Sequence, residues 1–566
     1  LIKFYNNDMT GESIEKVDIS NCIKEDRPST YADKAGALYA ELSLSEEKKR
    51  KGQFFTPLSI ARFMASMARE RTGVISILDP GCGTCILSSC LIEELINKGP
   101  GIERVILVCY ETDASIIPYA ESVLQNLKQW CFGKDVNFEY SIHKDDFVIA
   151  NKVALATYTS LFNDENEATF DIIISNPPYF KLAKNDERTL AAKSVVNGHA
   201  NIYAIFMAVS AQLLNQGGEL IFITPRSFSS GSYFQAFRTN FFNKVNIEQA
   251  HLFHSRKDTF SKDKVLQETM ILKCFPKENN AHNDEITVTS SNGIKDLEAP
   301  ETITLPADLV IKYDSLDKMV YLPISEKEKA IVELFRSWKG TLNTYNIQIS
   351  TGPVVAHRAW DHIKEVEPSE EAFDPAPLFW LHNVSKMKLT WPLTRPNKGQ
   401  YILIQERSLP ILIPNKNYLL LRRFSSKDDK SRLIATPYFS RSSNATHIGV
   451  ENKLNYIYRP NGELEECEIF GLAGLLNSTI FDQFFRILNG NVNVSATELR
   501  LMPLPPHETI KEIGRQLMQI EIFSVEIINQ VVNERFQLET ISSKYGQTRR
   551  STRDIKDIRF TSCSAE

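Results

Sequence analysis

Phe170-Asp171-Ile172-Ile173-Ile174-Ser175-Asn176-Pro177-Pro178-Tyr179 changes character midway. Three isoleucines between polar residues read as a short buried strand. Two prolines then forbid both a ladder donor and a helix, so the strand stops. Asn176, Pro177, Pro178 and Tyr179 are thus left on a loop at the carboxyl end of a strand, where open α/β sheets bind ligands. The loop suits a planar amino group bonded to a π-system. Such a nitrogen is a poor nucleophile, because its lone pair is delocalised. The Asn176 amide oxygen and the Pro177 carbonyl can accept its two hydrogens and pull it toward a tetrahedral, nucleophilic geometry. Tyr179 offers an aromatic face for a planar base. Read blandly, the same residues are a strand followed by a proline-rich turn.

Upstream, Val74-Ile75-Ser76-Ile77-Leu78 runs into Asp79-Pro80-Gly81-Cys82-Gly83-Thr84 and then a helix from Ile86 to Ile96. Glycines there let the backbone approach a ligand closely. No Gly-Lys-Ser/Thr follows, so this is no phosphate loop. Cys82-Gly-Thr-Cys85 formally matches a redox or zinc pair, but no second pair accompanies it, and no metal is expected. Val105–Cys109 is a second strand, followed by Glu111, Thr112 and Asp113. An acid at that place typically binds ribose hydroxyls; Asp113 doubles as an N-cap candidate. Phe138–Ile142 is a third strand, ending before Asp146 and Phe147. Earlier still, Phe55, Thr56 and Pro57 open an amphipathic helix (Ile60, Phe63, Met64, Met67), with Thr56 as N-cap and Pro57 as first helical residue.

Downstream, Ile202–Leu214 reads as a helix closed by Asn215-Gln216-Gly217-Gly218 in a C-cap pattern. Leu220–Thr224 is a strand ending at Pro225-Arg226. Phe260 sits in a polar loop before the strand Met270–Cys274. Residues 276–300 read as a hairpin or linker leaving the domain. Alternating strands and helices at this spacing predict an α/β fold, a Rossmann-like, doubly wound, mostly parallel sheet. Beyond Tyr345 short strands and turns predict a mixed α+β domain. Its segment Lys386–Arg432 is rich in Lys and Arg, including Arg422, Arg423 and Lys427, with Trp391, Tyr401, Tyr418 and Phe424 interleaved. This is a local basic surface of the kind that meets nucleic acid. A helix from about Ile520 to Phe536 carries apolar Phe523, Ile527 and Val531.

The whole chain bounds these readings. Its 566 residues suggest two to four domains. Hydrophobic content of 42% and charged content of 24% allow a sizeable core. A net charge of -5 argues against a generic polyanion binder, so any nucleic-acid surface is local. Nine scattered cysteines show no disulfide framework, which favours a reducing cytoplasm. No run is long enough to span a bilayer, and no membrane partner is expected.

In this order the pieces resemble the γ-class, TaqI-like or Eco57I-like adenine-N6 DNA methyltransferases of restriction-modification systems. The likeness runs well over about residues 50–275. It is carried by Gln53-Phe54-Phe55-Thr56-Pro57, Asp79-Pro80-Gly81-Cys82-Gly83-Thr84, Glu111, Asp146-Phe147, Asn176-Pro177-Pro178-Tyr179 and Phe260. Ser350-Thr351-Gly352 and Gly490–Arg500 with Pro503-Leu504-Pro505 are weaker pieces, similar to target-recognition domains. One departure stands out: Cys85 occupies a position where the family usually has glycine. The resemblance implies S-adenosyl-L-methionine as methyl donor, held by Phe55, Thr56, Pro57, Asp79, Gly81, Gly83, Thr84, Glu111, Thr112, Asp146 and Phe147. It implies double-stranded DNA as substrate, with a flipped adenine held between Tyr179 and Phe260. Arg226, Arg422, Arg423 and Lys427 are the expected DNA contacts. The expected layout is an arm at 1–50, a catalytic domain at 51–275, a linker or hairpin at 276–344 and a target-recognition domain at 345–566. The chain begins at Leu1, and only about fifty residues precede Gln53, too few for a nuclease domain. A self-sufficient, bacterial cytoplasmic, nucleoid-associated methyltransferase is therefore expected, a monomer with a dimer as the alternative, linked in function to a cognate restriction endonuclease. RNA or protein-glutamine methylation, or a DNA-binding subunit of a larger restriction complex, are the alternatives.

Overall fold

The computed structural model describes residues 27–42, 55–99, 101–155, 169–196, 198, 200–254, 268–277, 284–365, 375–393, 395–425, 429–489 and 493–536. They fall into two compact units, Leu1–Val332 with Arg486–Asn491, and Glu333–Phe485 with Val492–Glu566.

The first unit is built on nine strands: β1 (Gly73–Pro80), β2 (Ile102–Tyr110), β3 (Asn137–His143), β4 (Phe170–Ser175), β5 (Leu214–Pro225), β6 (Val245–Phe253), β7 (Thr269–Pro276), β8 (Glu285–Ser291) and β9 (Glu301–Pro306). Their order is β3-β2-β1-β4-β5-β7-β6-β8-β9. β3, β2, β1, β4 and β5 run parallel, while β7 is antiparallel to both its neighbours. Ile172, Ile173 and Ile174 are all fully buried, as a parallel strand covered on both faces requires. Lys273 on β7 is buried yet paired with Glu219 of β5 at 3.1 Å and Glu248 of β6 at 3.0 Å. One charge thus bridges three adjacent strands and holds β7 in register. Helix Pro28–Leu42 packs on this unit through buried Tyr31, Ala32, Ala35 and Tyr39.

Three local expectations need correction. The helix after Thr56 starts at Leu58, with Pro57 as N-cap and no side-chain cap; the Thr56 hydroxyl is engaged elsewhere. Gly217 and Gly218 do not cap a helix. The helix Ile202–Gln212 ends at Leu213, and β5 begins at once. Gly217 takes φ +75° where the register against β4 slips between Phe170 and Ile172, so the glycines serve a strand irregularity. Finally, the hairpin expected after residue 276 is present at residues 285–306, but it does not lead away from the sheet. These residues form an antiparallel pair, β8 and β9, that joins its edge, β8 lying parallel to β6.

The second unit carries an antiparallel four-stranded sheet, in the order Gln348–Thr351, Leu454–Tyr458, Tyr418–Arg422, Ala435–Tyr438, and a mixed five-stranded one. Helices Glu466–Asn477 and His507–Leu517 accompany them. In helix Val525–Phe536 the buried residues are Ile528 and Val532, so the inward face lies one position beyond Ile527 and Val531. No helix among the described residues is long and apolar enough to cross a membrane.

Candidate active site

The carboxyl ends of β1, β2, β3 and β4 meet around one cavity of about 380 Å³. Its wall includes Phe55, Thr56, Gly81, Cys82, Gly83, Thr84, Glu111, Thr112, Asp146, Phe147, Asn176 and Pro178. The parallel sheet explains the convergence: every strand from β1 to β4 delivers its following loop to the same edge. The Ser175 hydroxyl donates to the Pro80 carbonyl at 2.6 Å, which fastens the end of β4 to the end of β1. Asp79, Pro57, Pro177 and Tyr179 are not among the residues that line it, though Pro177 and Tyr179 adjoin lining residues Asn176, Pro178 and Phe180 in the chain. Phe260 and Lys427 lie outside the described residues.

Asn176 is half-buried and oriented at both ends of its amide. Its Nδ2 donates to Thr56 Oγ1 at 3.0 Å, and its Oδ1 accepts from the Tyr179 hydroxyl at 2.7 Å. The same hydroxyl is 2.9 Å from the Ile223 carbonyl. One phenolic proton thus faces two acceptors, the Asn176 amide oxygen and the Ile223 carbonyl. Burial, and next to it Tyr203, push the Tyr179 pKa far up, so this hydroxyl stays protonated and remains a donor. The Tyr179 ring meets Tyr203 edge-on at 6.2 Å.

Glu111 is buried, and its two oxygens accept backbone N–H groups from Asp113 (2.8 Å) and Gly83 (3.1 Å). Burial raises its pKa, while those two N–H bonds pull it back. The Glu111 side chain belongs to the cavity wall. Asp113 does not cap a helix, since the next one begins at Ile117. Its Oδ1 instead accepts from the Ser115 backbone and hydroxyl, and its Oδ2 from Tyr39. Asp146 caps the short helix Phe147–Ala150 through Oδ1, and its Oδ2 lies 3.4 Å from Arg188. Arg188 is gripped by Asp186 through two bonds of 2.9 and 2.8 Å and covers the Phe180 ring. Arg188, Phe180, Tyr110 and Phe206 all line the cavity. None had a spacing or neighbour in the sequence that would single it out.

Beneath the glycine loop lie Cys82, Cys85 and Cys109, all buried, with their three sulfurs within 4.8 Å of one another. Cys109 comes from the end of β2, which no CxxC pattern could reveal. Burial works against its thiolate, but hydrogen bonds from Cys82 and Cys85 outweigh it and bring the pKa down to about 7. Cys85 sits in the left-handed region at φ 59°, which costs a residue with a Cβ on the order of 1–2 kcal/mol. The Asp79 carboxylate beside them takes the Ser88 hydroxyl at 2.5 Å, and burial, then Cys82, raise its pKa well above normal.

The cations expected to meet DNA divide. Arg226 is buried, paired with Glu268 at 3.6 Å and bonded to the Ile487 carbonyl within the same unit. A guanidinium so enclosed holds the fold and presents no charge outward. Arg432 is likewise buried, its Nε on Ser425 and its plane over Phe485. Lys386 donates to the Asn477 carbonyl. Arg422 donates Nε to the Val384 carbonyl at 2.7 Å, and Arg423 donates to Asn452 and lies over Phe424, which is exposed. The two weak motif pieces of the second unit do meet. Asn455 bonds Thr351 at 3.1 Å and the Val494 carbonyl at 3.0 Å, and Arg500 reaches the Ile349 carbonyl at 2.8 Å.

A family model described as Eco57I restriction-modification methylase matches residues 103–260. The type II methyltransferase M.PstI of Providencia stuartii is 30% identical over 503 residues, 88% of this chain and 96% of its own length. The chain belongs to the type II methyltransferases. M.BsuBI of Bacillus subtilis, also a type II methyltransferase, is 30% identical over 86% of this chain and 93% of its own. A solved DrdV–DNA complex overlaps with a TM-score of 0.46 at 14% identity, over 87% of this chain and 60% of that one. The first unit of this type II methyltransferase has a Rossmann-like α/β sheet, parallel from β3 through β2, β1 and β4 to β5, with its glycine loop after β1.

Proposed function

We propose that this methyltransferase moves a methyl group from S-adenosyl-L-methionine to N6 of an adenine turned out of duplex DNA, so that the modified site resists a cognate restriction enzyme. One observation carries the reading: Asn176 and Pro178 line the same cavity as Gly81, Gly83, Glu111 and Phe147. An amine activator and a nucleoside cradle therefore share one space. Its volume of about 380 Å³ falls within the range of small-ligand pockets. A Cβ on Gly81 would stand 3.5 Å from the Phe206 ring, so the loop already lies close against the pocket wall.

Glu111 would take the ribose hydroxyls on its remaining lone pairs. Asp146 Oδ2 and Phe147 would hold the donor's adenine, and the end of the chain segment at Thr56 would face its methionine part. The bound donor supplies a methyl group on a sulfonium sulfur, already activated for transfer. Asn176 Oδ1 and the Pro177 carbonyl accept the two amine hydrogens and localise the nitrogen lone pair. Thr56, by holding the amide nitrogen, keeps the oxygen turned to that task. Rate comes from orientation and from these fixed acceptors. Phe260 would stack on the extruded base, and Arg422, Arg423 and Lys427 would contact the duplex.

The test supplies tritium-labelled donor with duplex DNA, RNA and protein in parallel, followed by nucleoside analysis. Label is expected in N6-methyladenine from DNA. Label in cytosine, RNA or protein overturns the proposal. Asn176→Ala is expected to lose at least about 10²–10³-fold in kcat while binding the donor as before by calorimetry; near wild-type turnover would remove Asn176 from its role.

A further inference from the structure

We propose that Cys82, Cys85 and Cys109 form a binding site for one thiophilic divalent cation of the zinc class, beneath the glycine loop. The geometry carries it. The three sulfurs lie within 4.8 Å of one another. A cation about 2.3 Å from each sulfur needs them about 3.8–4.0 Å apart, a spacing inside that 4.8 Å bound. The ligands come from both sides of Gly83 and from the end of β2, so the site is assembled by the fold and not by a local motif. Cys85 is the residue before the helix Ile86–Lys98. The positive end of that helix favours the single net negative charge that three thiolates leave around a divalent ion. Soft sulfur donors select d¹⁰ ions over magnesium or calcium.

Cys85 also holds its left-handed backbone where glycine would be free of strain. The chain thus keeps a thiol at a position that disfavours any side chain. Binding exchanges three S–H protons for three metal–sulfur bonds, with the protons released to solvent and no electron transferred. Cys82 lines the cavity, which gives the ion a way in. Once bound, the ion would tie the two sides of the glycine loop to β2.

The test titrates the reduced full-length chain, freed of reductant, with cadmium chloride and follows the ultraviolet thiolate-to-cadmium band. The band is expected to saturate at one ion per chain, to be displaced by zinc, and to accompany a rise in melting midpoint. Cys85→Gly relieves the backbone and leaves the cavity wall intact, so it is expected to fold and to methylate normally. Its cadmium affinity should fall at least about a hundredfold, beyond what loss of an outer-shell partner does. Cys109→Ala provides a second, independent deletion with the same expected loss. A folded wild-type chain without the band overturns the proposal. So does a band that survives both substitutions at unchanged affinity, which would place the ion on other thiols. A chain two hydrogens lighter, with Cys82 joined to Cys85, would assign the cluster to disulfide chemistry and overturn it equally.

Discussion

At the scale of single residues, Thr56 is the informative case. Its place before a helix suggests a cap, yet its hydroxyl accepts from Asn176 Nδ2. Thr56→Val keeps the shape and removes the acceptor. The amide then loses the contact that decides which end faces the cavity, worth about 1 kcal/mol. A fall in kcat of about fivefold, with donor affinity nearly constant, is expected in steady-state assays. An equal loss in donor binding with kcat intact would assign Thr56 to the donor instead. Asn176, Glu111 and Asp146 were legible in the sequence because each is a polar residue placed just after an apolar strand. Tyr39 and Cys109 were not, because their partners lie far along the chain and only folding brings them near; Arg188 was not, because nothing in its pairing with neighbouring Asp186 says that it reaches Asp146 and the cavity.

At the scale of elements, the loop after β5 shows how burial reassigns a charge. Arg226 pairs with Glu268 in a dry setting. Arg226→Met removes the cation from beside that buried carboxylate and should cost roughly 3–5 kcal/mol by chemical denaturation, without changing how DNA affinity varies with salt. Arg423→Ala, at a half-exposed position, should lower the slope of log affinity against log salt by about 0.9. Identical slopes for Arg423→Ala and wild type would take Arg423 off the duplex. Strands β1 to β5 could be read from isoleucine and valine runs bounded by loop residues. The β8–β9 pair could not be assigned to the sheet, because a polar, Asn-rich edge looks the same as a linker. Gly217-Gly218 misled for a related reason: a positive φ is needed both after helices and in irregular strands, and the residue type does not tell them apart.

At the scale of the molecule, β6 contains a proton-linked weak point. His251 is buried between the Thr289 and Ser291 hydroxyls (2.9 and 3.1 Å) and beside the Phe63 ring. Burial lowers its pKa from 6.5 to about 4, opposed by Asp296 and aided by His254. The unfolded chain therefore binds a proton that the folded one refuses between about pH 6.5 and 4. Stability is full above pH 6.5 and declines as pH falls through that window, by about 3 kcal/mol in all. Denaturation midpoints measured from pH 7 to pH 4 should show the decline, and His251→Gln should flatten it. An undiminished decline in that variant would place the linkage elsewhere.

The chain does not finish its first unit before starting the second. It comes back at Arg486–Asn491, and the Ile487 carbonyl receives Arg226 there. Cutting after Val332 would therefore not release a free-standing catalytic half. The stump would keep a cation in its interior beside Glu268 and lose the carbonyl that also answers it. Anyone wishing to exchange the second unit between related methyltransferases must carry this short return segment along with the first unit, as a second splice point more than a hundred and fifty positions beyond the first.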